Sequence, residues 1–101
     1  MKIRLVLLLI LVVGCSQQSD KIQWITLDPG HFHAALVQKT MYPEIDSEVH
    51  IYAPKSDDLD LHLARIEAYN QREESPTAWK STVYEGDDFF KQLFNNEKTL
   101  V

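Results

Sequence analysis

The 101-residue sequence predicts an α/β fold, a parallel sheet with flanking helices, preceded by an export signal. Three observations lead there. Strand-like and helix-like stretches alternate from Ile22 onward. Pro, Gly and Asp cluster in the turns between them. The first 14 residues have the polarity of a targeting peptide rather than of a folded element. Strands that alternate with helices run parallel, because each helix carries the chain back to the same end of the sheet.

Lys2 and Arg4 form a positive start, and Leu5 to Val13 is an unbroken apolar run. A run of this length matches a signal peptide and falls well short of the roughly 20 residues needed to span a bilayer. It ends at Val12-Val13-Gly14-Cys15, the pattern of a bacterial lipobox. Residues 1–14 are therefore expected to be removed and Cys15 to carry the lipid, since acyl chains together hold a protein stably on a membrane. Cys15 is the only cysteine, so no intramolecular disulfide is available. Residues 15–21 read as the lipidated Cys and a polar tether. Ser16 in place of an Asp points to the outer membrane, facing the periplasm or the cell surface.

Residues 22–101 then form the folded part, a partial domain. Ile22 to Leu27 reads as the first strand, and Asp28-Pro29-Gly30 as a turn. His33 to Met41 reads as a helix on the Ala34, Val37, Met41 stripe, ended by Pro43. Val49 to Tyr52 reads as the second strand. Ser56-Asp57-Asp58 supplies N-cap chemistry for a helix whose apolar face is Leu59, Leu63 and Ile66, with His62 on its polar side. Trp79 to Tyr84 contains a third strand. Gly86-Asp87-Asp88 opens a helix with Phe89, Phe90, Leu93 and Phe94 on its apolar side. Trp24, Trp79 and the three phenylalanines are expected in the core. Thr99-Leu100-Val101 begins another β-prone run, so the chain is expected to be the front portion of a longer protein.

Without residues 1–14 the chain has 8 basic and 15 acidic residues, a balance of −7. That excludes non-specific nucleic-acid binding and a polybasic membrane patch. The membrane is reached through the lipid anchor alone. A homo-oligomer is compatible with the sequence and not required by it.

The turn after the first strand is where chemistry is expected. In an α/β domain this turn opens a helix whose N–H groups and dipole attract a dinucleotide pyrophosphate. The fingerprint G-x-G-x-x-G puts Gly at three places, which here hold Asp28, Gly30 and His33. Gly30, His31, Phe32 and His33 are the candidate cofactor-binding residues. The end of the second strand is Tyr52-Ala53-Pro54, without the usual acidic residue for the ribose. Asp57 and Asp58 follow a few positions later and read as helix caps. His31 and His33 also form His-x-His, a pattern that metal-dependent hydrolases use. No further ligand has suitable spacing, so no metal site is assigned. No catalytic residue is assigned either.

The run Leu27-Asp28-Pro29-Gly30-His31-Phe32-His33-Ala34-Ala35-Leu36-Val37-Gln38-Lys39 resembles the first βα turn of secreted oxidoreductases in the Gfo/Idh/MocA family. Val49-His50-Ile51-Tyr52-Ala53-Pro54, Asp58-Leu59, His62-Leu63, Arg65-Ile66 to Asn70, Pro76 to Trp79 and Val83 to Phe89 extend the likeness over residues 22–101. The resemblance implies a Rossmann-like domain binding NAD or NADP, followed by a domain for sugar-like substrates. The family's catalytic residues would lie beyond Val101. Two other readings stay open: a surface-tethered module of the same fold that has lost its cofactor, and the His-x-His hydrolase.

Overall fold

A computed structural model describes residues 20–96. The signal peptide, Cys15, most of the tether and the run at residues 99–101 lie outside them. Three strands form one parallel sheet in the order β1-β2-β3: β1 is Ile22–Leu27, β2 is Ile45–Ala53 and β3 is Lys80–Glu85. Three helices connect or follow them: α1 His33–Leu36, α2 Asp57–Asn70 and α3 Phe89–Asn96. This is the predicted α/β architecture, an incomplete Rossmann-like sheet with flanking helices.

Register decides which side chains share a face. Trp24 pairs with Val49 and Thr26 with Ile51 across β1 and β2. Parallel partners project to the same side, so Trp24, Val49, Ile51 and Ala53 make one apolar face. The core forms there, from Val49, Ile51 and Ala53 with Ala35, Leu59, Ile66 and Trp79. Both βαβ crossovers place α1 and α2 on this side, as right-handed connections require. The other face carries an aromatic ladder. Tyr52 stacks on Tyr84 with ring centroids 4.3 Å apart, and His50 Nδ1 lies 3.0 Å from the Tyr84 hydroxyl.

The α2 start follows its cap chemistry. Ser56 is extended and its hydroxyl accepts from the Leu59 N–H at 3.2 Å. Asp57, Asp58 and Asp60 occupy the first turn, at the positive end of the dipole. The buried stripe is Leu59, His62 and Ile66, so His62 points into the core rather than lying on the polar side. Its neighbour Leu61 is half exposed in its stead. Position along the helix, not residue type, sets that orientation.

The first helix is much shorter than the stripe predicts. It ends at Leu36, and the next carbonyls serve tertiary donors. The Val37 carbonyl accepts from the Tyr42 hydroxyl at 3.0 Å, the Gln38 carbonyl from Trp79 Nε1 at 2.7 Å and the Lys39 carbonyl from Arg72 Nη2. Three successive acceptors held by side chains replace the ladder of a continuing helix. Val37 and Leu36 are left exposed.

The phenylalanines of α3 also depart from expectation. Phe90 and Phe94 are 52% and 64% exposed, and no α3 residue is buried. The helix lies against β2 and β3. Among the described residues, no helix is long and apolar enough to cross a membrane.

Candidate nucleotide-binding turn

The turn from β1 to α1 leaves the sheet at the carboxyl ends of the strands, where ligands of open α/β sheets bind. Asp28 closes it: its N–H donates to the Tyr52 carbonyl at 2.8 Å, and its φ is 48°. This left-handed conformation is what the first Gly of the fingerprint ordinarily supplies, and Asp is among the few other residues that tolerate it. Sequence comparison with the motif scores Asp28 as a mismatch. The backbone treats it as a match.

Gly30 does not have a positive φ. A Cβ built on it would lie 3.7 Å from Asp58 Oδ2, an ordinary contact. Local sterics therefore do not demand Gly at this position, and its lack of a side chain leaves the turn bare. The same distance brings Asp58 to the turn. Ser56 makes the capping hydrogen bond, and Asp58, in the first turn of α2 as the sequence suggests, also stands beside Gly30.

His31, Phe32 and His33 are all exposed and clustered, their rings tilted against one another with centroids 4.3 to 4.6 Å apart. His31 Nδ1 accepts from the His33 N–H at 3.2 Å, and the His31 carbonyl from the Ala34 N–H at 3.0 Å. Two of the N–H groups at the start of α1 are thus engaged inside the turn. The third fingerprint position is His33, yet close helix–sheet packing is kept, because Ala35 is fully buried two residues later. No group of three or more His, Cys, Asp or Glu is gathered among the described residues, so His31 and His33 stand without a third ligand there.

No family model and no curated protein matches this chain. A solved structure does, that of a "putative oxidoreductase" from Parabacteroides merdae ATCC 43184. The two share 50% identity over 79% of this chain, with a TM-score of 0.76. The match covers 18% of the Parabacteroides chain, so the present sequence corresponds to less than a fifth of that protein.

Proposed function

We propose that this chain is the N-terminal, nucleotide-binding portion of a lipid-anchored, Gfo/Idh/MocA-like oxidoreductase acting on sugar-like substrates. The half-identical oxidoreductase neighbour supports the general class. The observation that carries the cofactor assignment is the left-handed Asp28 followed by the bare Gly30 at the carboxyl end of β1. A left-handed residue and a residue without a side chain are what the close approach of a pyrophosphate asks of such a turn. Gly30, His31, Phe32 and His33 would hold NAD or NADP, which supplies the hydride acceptor or donor when bound. The exposed rings of residues 31–33 would border the bound group and restrict water. Export and acylation at Cys15 would tether the domain to the membrane, with the outer membrane as the destination.

Binding is the direct test. NAD(H) and NADP(H) are added to the full-length protein, and thermal shift and nicotinamide fluorescence are followed. Saturable binding of either supports the proposal; no response to any of the four removes the cofactor from it. Metabolic labelling with a fatty acid tests the anchor separately, with Cys15→Ser as the unlabelled control.

A second reading has its own support. The His33 and Ala34 N–H groups are already engaged, and the Asp28 and Asp58 carboxylates oppose a polyanion at the turn. A cofactor-less binding module of the same fold would look this way. The same titrations separate the two.

A further inference from the structure

A cavity of about 440 Å³ lies away from the Gly30 turn, between the segments that lead into β2 and β3. That places it at the amino ends of the strands. Its volume falls in the usual range for small-molecule sites. The lining carries two cations, Lys39 and Arg72, and no carboxylate. In a chain with more acidic than basic residues, such a lining is a local reversal of sign. Thr40 and Ser75 add hydroxyls, and Met41 and Pro76 add an apolar wall.

Arg72 is fixed in place. Its Nη2 donates to the Lys39 carbonyl and, at 2.9 Å, to the Ser75 carbonyl, which uses both hydrogens of that nitrogen. Its guanidinium also lies 5.4 Å from the centre of the Tyr69 ring. Its Nε is enclosed and has no hydrogen-bond partner. A guanidinium is a permanent cation, and an anion is the acceptor it binds best. Loop clamping accounts for Nη2. It does not account for Lys39 or for the absence of carboxylates from the lining.

We propose that this cavity binds a small organic oxyanion, a carboxylate or phosphate ester. Lys39 and the Arg72 guanidinium hold its charge, and its apolar body rests on Met41 and Pro76. The site is independent of the nucleotide turn.

The experiment is thermal denaturation of the full-length protein in potassium phosphate, potassium acetate and potassium chloride at matched ionic strength. Lys39→Ala and Lys39→Arg are run beside the native protein. Only the backbone carbonyl of Lys39 serves the Arg72 clamp, so both variants keep it. The expected result is a saturable rise in melting temperature with phosphate, acetate or both, and none with chloride. Which of the two acts identifies the ligand as phosphate or carboxylate. Lys39→Ala should weaken the apparent affinity at least fivefold, and Lys39→Arg should restore it to within about twofold. Equal melting in all three salts overturns the proposal. So does an anion effect that Lys39→Ala leaves unchanged.

Discussion

Removing the Asn70 side chain should cost this domain a large part of its stability. Asn70 ends α2 and ties it to the segment entering β3. Its Nδ2 donates to the Trp79 carbonyl at 2.8 Å, while its Oδ1 accepts from the Thr77 hydroxyl at 2.6 Å and the Trp79 N–H at 3.0 Å. Thr77 and Trp79 are both buried, so the groups left behind by Asn70→Ala cannot all turn to water. At about 1 kcal/mol net for each bond, three lost bonds amount to about 3 kcal/mol. Small domains have only about 5–15 kcal/mol in total. With about 4–8 °C per kcal/mol for a domain of this size, the melting temperature should fall by about 12–24 °C. Urea unfolding followed by tryptophan fluorescence is the assay, because Trp79 packs edge-on against Trp24 at 5.5 Å and reports on this corner. Gln71→Ala is the control. Gln71 is exposed and its side chain reaches only Glu67 on the same helix, so its loss should stay within about 0.5 kcal/mol. If Asn70→Ala costs no more than Gln71→Ala, the three bonds do not hold the segment and the reasoning fails.

Three more outcomes are expected. Gly86 has φ 148°, and a Cβ there would lie 2.9 Å from Asp88 Oδ1, so Gly86→Ala should destabilise by about 1–3 kcal/mol in the same urea assay; an unchanged midpoint would contradict this. Burial, with the Arg65 charge adding to it, holds the His62 pKa below its ordinary value. The unfolded chain then takes up the proton first, so stability is full above the unfolded value near 6.5 and declines as pH falls from there toward the lower folded value. Chemical denaturation between pH 8 and pH 5 should show this decline, and His62→Leu should flatten it. Because His62 has neither ring nitrogen hydrogen-bonded, the same variant should not lose stability at pH 8. At the turn, Asp28→Gly should leave stability within about 1 kcal/mol, whereas Asp28→Val should cost about 1–2 kcal/mol for placing a β-branched residue at φ 48°. Asp28→Gly also removes a carboxylate from the proposed pyrophosphate site and should tighten dinucleotide binding, read by calorimetry on the full-length protein.

These residues also mark how far the sequence could be read. The order of strands and helices was legible, because alternation and turn chemistry are local. The start of α2 was legible for the same reason: Ser56 caps it and Asp57, Asp58 and Asp60 follow. The end of α1 was not. Its apolar spacing continues past Leu36, but the Val37, Gln38 and Lys39 carbonyls are held by Tyr42, Trp79 and Arg72, the last two over thirty positions away. His62 was misplaced because its polarity was weighed above its position three residues after Leu59 on the buried stripe. The helical spacing of Phe90 and Phe94 predicts a core position, yet a helix can be strongly amphipathic and still leave its apolar side uncovered.

The candidate site divides along the same line. Its location followed from the sequence alone, since a turn leaving the first strand of an α/β unit lies at the carboxyl edge of the sheet whatever its residues. Its character did not. Asp28 looks like a broken motif until its φ is known, and Asp58 looks like no more than a helix-end charge until it is found beside Gly30. Residue identity records what a side chain can do. Backbone conformation and neighbours distant in sequence decide which of those things it does, and both are properties of the folded chain.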